Sequence, residues 1–376
     1  MKTILFTAGP IPARLDSVKF ITNRFKGGLA VKTAENLAVL GNKVTLVAWE
    51  HAEIKSTLPI IRVKDVDDYV AKVLEFEADA YVLAAAVANL GPKEPFAGKF
   101  PSHNYNVGDS IPIEFTIMPR VIDQIKKVRP RATLIGYKLF DGTRDELVSA
   151  AWHTLTDSKA NLVFANHPAW AKERKIVLTP DGAIFDVDFD EHTRLIHRLV
   201  NETFYKTTAH ERPIPVDAGA EALLEQIVAS YPRTADRGMV FGTFAVRLKV
   251  GENAFATTTR GKKEGEDKVA IVADVDHDKH IVKSDRKATL NAPLLHKVFE
   301  MNPDMQILLH DHKVIPGAAT PEKPYQFPGT TGDLENAKKM MNGMPLQMPH
   351  HGYIVGFKSI DKMQEFLRTF YPETHS

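Results

Sequence analysis

The chain contains no cysteine among its 376 residues. This absence excludes disulfide bonds, metal sites built from thiolates and catalysis by a cysteine nucleophile. The sequence also lacks an excess of basic residues, because 48 lysines and arginines stand against 47 aspartates and glutamates. Proteins that bind nucleic acids through their charge usually carry a basic excess, so we expect no nucleic-acid partner.

Long hydrophobic runs are missing as well. No uninterrupted apolar segment approaches the roughly 18 residues that cross a bilayer, and the opening MKTILFTAGP reaches glycine and proline too soon for a signal peptide. Hydrophobic residues still make up 44% of the chain and charged residues 25%, which is typical of globular proteins. We therefore expect a soluble, cytoplasmic protein without a membrane partner, with two or three domains.

The first part of the chain alternates between strand and helix patterns. Short continuous apolar runs, such as residues 43–49, are followed by segments whose apolar residues recur every three or four positions, such as residues 28–41. This alternation predicts a parallel sheet covered on both faces by helices. Residues 174–189 differ, because two alternating runs flank a Pro-Asp-Gly turn and predict a β-hairpin. The predicted fold class is α/β, a Rossmann-like parallel sheet with a late hairpin.

A polar segment divides the chain. Residues 207–217 contain two prolines and no apolar period, which predicts an interdomain linker. The predicted domains are residues 1–206 and residues 218–376. The second domain mixes short strand patterns with helices, as an α/β or α+β domain does.

Glycines, amides and lysines follow the ends of predicted strands in the first domain. In an open parallel sheet, ligands bind beyond the carboxyl ends of the strands. Four segments lie at such ends, residues 7–10, 22–28, 84–99 and 136–142. Their backbone N–H groups, amides and lysines suit a polyphosphate and a carboxylate. Ordinary turns require the same glycines, so these residues alone leave both interpretations open.

The order of these segments carries a family resemblance. The stretch LDSVKFITNRFKGGLAVKTAENLAVLGNKVTLV, followed by AAAVAN, IGYKL and VFAN, resembles the phosphopantothenoylcysteine synthetase (phosphopantothenate–cysteine ligase) family over about residues 1–205. The resemblance implies a nucleotide-binding domain and a two-step ligation in coenzyme A biosynthesis. CTP or ATP, with Mg²⁺, would activate 4'-phosphopantothenate as an acyl-nucleotidylate and release pyrophosphate. The amine of cysteine would then form the amide.

The resemblance also assigns roles to residues. Asn23 and Lys99 are the expected catalytic residues: Asn23 orients the activated acyl group, and Lys99, or Lys93 in its place, neutralises triphosphate charge. The residues expected to contact the nucleotide are Gly9, Ala85, Ala86, Val87, Asn89, Lys138 and Asn166. The residues expected to bind the acyl substrate are Arg24, Lys26, Gly27 and Gly28. In this chain Lys26 precedes Gly27 and Gly28, and Asn89 replaces an aspartate of the family. These departures leave open whether the nucleotide is CTP or ATP, and whether the acid is phosphopantothenate or a related acid.

Three histidines form a second constellation. His310 and His312 lie two apart in a predicted strand, which sends both side chains to the same face, and His351 precedes a glycine. Three neutral imidazoles around an open position suit Zn²⁺. Strand histidines that are only hydrogen-bonded are the simpler alternative.

The surroundings of these histidines carry a second resemblance. The segment from SDRKATLNAPLLHKVFEMNPDMQILLHDHKV to PHHGYIVG resembles the class II aldolase/adducin family over about residues 218–372. The resemblance implies an aldolase-like α/β domain with zinc held by His310, His312 and His351. Asn291 aligns with the acid/base glutamate of that family and cannot shuttle a proton at neutral pH, which disfavours aldol cleavage by the family mechanism.

Other functions stay open beside the ligase. One is a zinc-dependent aldolase or epimerase acting on a sugar phosphate, and another is a non-catalytic protein that senses a nucleotide or metabolite. Both families form symmetric assemblies, so we expect a homo-oligomer by analogy.

Overall fold

The computed structural model describes residues 1–210, 214–248, 254–262, 268–318, 320, 324–340 and 344–372. The chain divides into two compact units. The first comprises Met1–Pro180 with Ile184–Asn201, and the second comprises Asp181–Ala183 with Glu202–Ser376.

The first unit is built on one large sheet with short strands in its loops. Its strands are β1 Thr3–Thr7, β2 Pro10–Ile11, β3 Ala13–Arg14, β4 Phe20–Ile21, β5 Lys43–Trp49, β6 Ile60–Val63, β7 Ala80–Leu83, β8 Ala86–Val87, β9 Leu90–Pro92, β10 Phe115–Ile117, β11 Thr133–Leu139, β12 Leu162–Asn166, β13 Arg174–Leu178 and β14 Ile184–Asp188. The large sheet has the order β14-β13-β12-β11-β7-β1-β5-β6.

Most of this sheet is parallel. The strands from β12 to β6 run in the same direction, whereas β13 and β14 form an antiparallel hairpin at one edge. In β1 the consecutive residues Ile4, Leu5 and Phe6 are fully buried. Because consecutive strand residues point to opposite faces, both faces of the sheet must be covered, as in doubly wound folds.

The helices of the first unit begin at residues suited to that position. Their bounds are α1 Gly28–Val39, α2 Val66–Glu75, α3 Ile122–Val128, α4 Arg144–Ser158 and α5 Phe189–Asn201. Asp65 accepts a hydrogen bond from the backbone N–H of Asp68 and caps α2. Thr143 and Glu146 form a reciprocal capping box at the start of α4.

The strand order reverses beside β1. The chain passes from β1 to β5 and β6 on one side, then crosses to β7 on the other side and continues to β11 and β12. Such a reversal opens a crevice beyond the carboxyl ends of the two flanking strands. The loops that leave β1 and β7 therefore border this crevice.

The second unit contains a mostly antiparallel sheet. Its strands are β15 Lys206–Ala209, β16 Thr234–Asp236, β17 Met239–Phe241, β18 Thr243–Arg247, β19 Phe255–Thr258, β20 Val269–Asp276, β21 Ile281–Ser284, β22 Ile307–Asp311, β23 Leu346–Met348 and β24 Gly352–Phe357. The sheet order is β15-β21-β20-β19-β18-β22-β24-β23, while β16 and β17 form a separate hairpin. Only the pairing of β15 with β21 is parallel among the described strands of this sheet.

Two hydrophobic cores lie on opposite faces of this second sheet. In β22, Leu308 belongs to one core and its neighbours Ile307 and Leu309 belong to the other, as the alternation of strand side chains requires. The helices are α6 Ala218–Ser230, α7 Ala292–Met301, α8 Leu334–Ala337 and α9 Ile360–Phe370. Helix α7 packs into the first core, and α6 and α9 pack into the second. The unit is therefore a three-layer α/β domain.

The predicted fold class is confirmed, with two local differences. The apolar run over residues 80–88 predicts one strand, but β7 ends at Leu83, because the N–H of Ala85 bonds to the side chain of Thr7 instead of extending the sheet. The predicted linker begins inside a strand, since Lys206–Ala209 pairs with β21. Part of that predicted linker, residues 211–213, lies outside the described residues.

Among the residues that the structure describes, none of the helices combines the length and the apolar character that crossing a bilayer requires.

Candidate functional site

Two glycines meet where β1 ends. Gly9 and Gly27 have φ angles of +79° and +81°, a region that side chains disfavour. A Cβ on Gly27 would lie 2.4 Å from the backbone nitrogen of Gly9, which is far inside contact distance. This close approach fixes the loop before α1 against the loop after β1, at the crevice.

Asn23 and the loop after β7 join the same arrangement. The side-chain amide of Asn23 donates a hydrogen bond from Nδ2 to the carbonyl oxygen of Ala86, at 3.1 Å. The N–H of Ala86 donates to the carbonyl oxygen of Gly9 at 2.9 Å, and the N–H of Ala85 donates to Oγ1 of Thr7 at 3.0 Å. The structure therefore brings together Gly9, Asn23 and the predicted Ala85–Val87 segment.

The amino end of α1 lies directly after this arrangement. Gly27 is its N-cap residue and Gly28 its first residue, no side chain caps the helix, and its first turn contains no acidic residue. The first N–H groups of a helix have no partner within it. Together with the positive end of the helix dipole, they can bind an anionic group.

Two further predicted residues lie at the ends of neighbouring strands. Lys138 and Asn166 are near the carboxyl ends of β11 and β12 and are offset by one position in the register. Asn166 is buried, and its Oδ1 accepts a hydrogen bond from Nζ of Lys175 at 3.0 Å. Burial lowers the pKa of Lys175 to about 8. The side chain of Asn166 is thus held by a lysine that the sequence did not single out.

The remaining predicted ligand-binding side chains lie at the surface. They are Arg24, Lys26, Asn89 and Lys99. The predicted alternative to Lys99, Lys93, is paired with Glu114 at 2.9 Å and lines a cavity of about 370 Å³. These side chains are accessible to a ligand, but the structure does not hold them against Asn23.

Asp16 is a structural residue of this region that sequence reasoning missed. Its buried carboxylate accepts hydrogen bonds from the backbone N–H groups of Val18, Lys19 and Phe100, and from Nζ of Lys19. Burial raises the pKa of Asp16, but these hydrogen bonds outweigh it and hold that pKa well below the usual range. Asp16 thereby anchors the segment that carries Lys99. The Asp-x-Val motif was visible in the sequence, but its partner at Phe100 was not.

The three predicted histidines converge in the second unit. One ring nitrogen of each of His310, His312 and His351 lies within 4.8 Å of the others. The ring of His312 stacks on Phe241. Oδ2 of Asp181, which belongs to the same unit, lies 3.6 Å from Nε2 of His351.

A glycine and a backbone carbonyl position these histidines. Gly352 has φ +79°, and a Cβ there would lie 2.0 Å from the carbonyl oxygen of Asp311, so only glycine lets β24 start this close to β22. His351 is thereby held beside His310. Nδ1 of His310 bonds to the carbonyl oxygen of Tyr353 at 2.8 Å, which makes Nδ1 the N–H and leaves Nε2 as the ligand atom.

Burial keeps two of these imidazoles neutral. It holds the pKa of His310 and of His351 well below the usual value. Among the described residues, neither ring nitrogen of His351 has a hydrogen-bond partner. Buried ring nitrogens without partners are costly, and a metal ion would satisfy one of them.

Asn291, which the second resemblance aligns with an acid/base glutamate, lies at the start of α7. It is the N-cap residue of α7, and it is 7% exposed. Its Oδ1 is buried without a hydrogen-bond partner among the described residues. A side-chain amide in this place can donate or accept hydrogen bonds but cannot transfer a proton at neutral pH.

The parallel sheet, its reversal beside β1 and the glycine-lined loops at that point define the first unit as a doubly wound α/β domain with a crevice at the switch point. The chain belongs to the family of the DNA/pantothenate metabolism flavoprotein C-terminal domain, whose family model matches residues 1–201.

Curated proteins with similar sequences are named for coenzyme A biosynthesis. The coenzyme A biosynthesis bifunctional protein CoaBC of Thermococcus kodakarensis is 31% identical over 171 residues, which cover 44% of this chain and 41% of that protein. The protein of the same name from Bacillus subtilis is 22% identical over 244 residues, which cover 63% of this chain and 53% of that protein. The chain therefore spans about half the length of the curated relatives that it matches.

Solved structures are similar to parts of the chain. The DNA/pantothenate metabolism flavoprotein from Streptococcus pneumoniae shows 22% identity and a TM-score of 0.45, covering 52% of this chain and 96% of its own. An L-fuculose 1-phosphate aldolase from Glaciozyma antarctica shows 13% identity and a TM-score of 0.29, covering 44% of this chain and 76% of its own.

Proposed function

We propose that the first unit is an amide-forming ligase of coenzyme A biosynthesis. It uses CTP or ATP to activate 4'-phosphopantothenate, or a closely related acid, and joins that acid to cysteine. The family of residues 1–201 and the relatives named for coenzyme A biosynthesis support the pathway. The arrangement of Gly9, Asn23 and Ala86 at the switch point supports the ligase within it.

The proposed reaction has two steps. First, a carboxylate oxygen of the acid attacks the α-phosphorus of the nucleotide, and the bond to the pyrophosphate leaving group breaks. Then the cysteine nitrogen attacks the activated acyl carbon, the bond to the nucleotide monophosphate breaks, and the nitrogen loses a proton. Both steps require close positioning and stabilisation of negative charge more than covalent participation of the protein.

The residues of the crevice supply these requirements. Asn23 uses one N–H to hold the loop at Ala86, and its second N–H can donate to the acyl oxygen on which charge develops. The unpaired N–H groups at the start of α1 would hold an anionic group of the substrate. Lys99 and Lys138, with Mg²⁺, would neutralise the phosphates.

Pyrophosphate release tests this proposal. The purified chain would be incubated with Mg²⁺ and CTP or ATP, with and without 4'-phosphopantothenate and cysteine. We expect release that requires the acid, and a cysteine amide by mass spectrometry when cysteine is present. The nucleotide that supports release identifies the activating substrate.

Two outcomes would contradict the ligase. Nucleotide binding without any acid-dependent pyrophosphate would indicate a sensor instead of an enzyme. Loss of CO₂ from added phosphopantothenoylcysteine, without amide formation from its precursors, would indicate a decarboxylase.

For the second unit, a metal centre is the candidate that the geometry favours. His310, His312 and His351 would hold Zn²⁺, because their ring nitrogens converge and neither ring nitrogen of His351 has a hydrogen-bond partner among the described residues. When bound, such an ion can polarise an oxygen of a substrate or activate water. Asn291 in the place of the glutamate supports binding or sensing more than aldol cleavage.

Metal analysis separates these possibilities. The chain would be purified without chelators and its zinc measured by mass spectrometry, with Asn291→Glu as a companion variant. Bound zinc with no aldolase activity in the natural chain, and activity on a sugar phosphate only in Asn291→Glu, would support a binding role. Activity of the natural chain on such a substrate would favour the lyase or epimerase instead.

A further inference from the structure

A second group of metal-ligand side chains lies in the second unit. It consists of His277, which follows β20, and of His296 and Glu300, which lie one turn apart on α7. Nε2 of His277 lies 2.9 Å from Nδ1 of His296. Glu300 places Oε2 3.7 Å from the first nitrogen and Oε1 3.8 Å from the second.

These distances place the three side chains close enough to share one ion. Ligand atoms about 2.0–2.1 Å from zinc lie about 3.3 Å from one another when the geometry is tetrahedral. The two imidazole nitrogens, at 2.9 Å, are closer than that, and the two carboxylate oxygens, one facing each nitrogen, lie 3.7 and 3.8 Å away. We propose that His277, His296 and Glu300 bind a divalent transition-metal ion, with Zn²⁺ as the simplest fit. The fourth position would be taken by water, because Glu300 lies at the surface.

The partner of His277 suits a ligating histidine. The hydroxyl of Tyr205 lies 2.7 Å from Nδ1 of His277. With a metal on Nε2, Nδ1 carries the hydrogen and donates it to the Tyr205 oxygen, which is how ligating histidines are usually oriented. Nε2 of His296 is buried without a hydrogen-bond partner among the described residues. The polar contact of that ring is therefore made through Nδ1, toward the cluster.

The charges around the cluster favour a cation. The carboxylates of Glu300, Asp274 and Asp278 act electrostatically on His277, and so does the ammonium group of Lys297. Of these carboxylates, Asp274 is paired with Lys283 at 3.2 Å. Lys297 is also the main competitor of a metal, because its Nζ lies 2.8 Å from Oε2 of Glu300. The metal-free alternative is a hydrogen bond between the two imidazoles, and a metal would displace the proton that this bond shares.

Zinc binding by the full chain tests the proposal. Chelator-treated protein would be titrated with Zn²⁺ in a metal buffer, and Co²⁺ absorption would report the ligand set. His312→Ala weakens the three-histidine group, so the binding that remains in this background reports the second cluster. We expect Glu300→Gln or His277→Ala, added to His312→Ala, to weaken that remaining binding by about a hundredfold or more, since losing a mere second-shell partner costs tenfold to a hundredfold.

Two variants serve as matched controls. Lys297→Ala removes the ion pair between Lys297 and Glu300 but removes no ligand atom, so Zn²⁺ binding should be retained or strengthened. His280→Asn removes a neighbouring histidine whose ring contacts Tyr205, and it should bind metal as the background does. Circular dichroism checks that each variant is folded.

Two results would contradict the proposed second metal site. If Glu300→Gln and His277→Ala bind Zn²⁺ as tightly as the His312→Ala background, the cluster is only a hydrogen-bonded histidine pair. If the background binds no Zn²⁺ while the natural chain does, all of the metal belongs to the three-histidine group, and the proposal is wrong. A shift of the Co²⁺ spectrum in Glu300→Gln would support the cluster independently of affinity.

Discussion

A hydrogen bond from Nδ2 of Asn23 to the carbonyl oxygen of Ala86 ties Asn23 to the loop after β7. In Asn23→Asp the donor becomes a carboxylate that repels the carbonyl oxygen of Ala86 and the negative charge that develops on the acyl group. We expect turnover to fall by about a hundredfold to a thousandfold, as with other lost donors of this kind, while the fold persists. Acid-dependent pyrophosphate release measures the effect.

Asn36 offers the matched control for that change. It is also half-buried, and it lies in α1 about two turns beyond the start of the helix. Asn36→Asp should release pyrophosphate at the natural rate. If Asn23→Asp released pyrophosphate at the natural rate, Asn23 would not be part of the catalytic site.

Asp16 links stability to pH. Its folded-state pKa lies below the ordinary value of 3.8, so its stabilising effect is present above about pH 4 and is lost as the pH falls through the folded-state pKa. Asp16→Asn removes the charge, and we expect a lower urea midpoint than that of the natural chain at pH 7. The difference should shrink below pH 4, whereas a pH-independent difference would contradict the role of the charge.

At the scale of elements, the start of α1 depends on Gly27, the first glycine of the pair Gly27 and Gly28. Gly27→Ala brings a Cβ against Gly9 at a positive φ angle, so we expect a loss of about 1–3 kcal/mol in the free energy of unfolding. Gly28→Ala meets no atom within 4 Å and should be neutral or stabilising by up to about 1 kcal/mol, since alanine favours helices. Urea unfolding measures both. Equal effects would mean that the close approach to Gly9 does not fix the loop.

The sequence predicts elements better than contacts between them. The strands β1, β5 and β11 and the β13–β14 hairpin follow from continuous or alternating apolar runs, because burial on one or both faces leaves that pattern. The end of β7 does not follow, since the alanine run continues past Leu83 while the backbone turns to bond with Thr7. Likewise, nothing local shows that Asp16 bonds to Phe100, because the hydrogen bond joins positions 84 apart.

The two histidine groups show the same limit. His310 lies in β22 and His312 directly follows that strand, two positions on, so a period of two predicts their common side. His277 and His296 come from a turn and a helix, and only the fold of β20 and β21 against α7 brings them to 2.9 Å. The local signal for that cluster was the spacing of His296 and Glu300 by one helical turn.

On the scale of the whole molecule, the candidate sites divide between the two units. The crevice residues belong to the first unit, and the three histidines belong to the second. Ligation requires charge stabilisation at the crevice, whereas the histidine group requires only neutral imidazoles around an ion. Different chemistry on separately packed units predicts that one site can be lost without the other.

His312→Ala tests this independence. The change removes one of three proposed zinc ligands from a half-buried position, so we expect zinc binding at this group to weaken strongly while acid-dependent pyrophosphate release continues at the natural rate. Metal analysis and the pyrophosphate assay on one preparation measure both. Asn23→Asp should give the reverse result, with zinc retained and release lost. If His312→Ala also abolished release in a folded protein, the metal of the second unit would be part of the ligation, and the two units would have to be treated as one active enzyme.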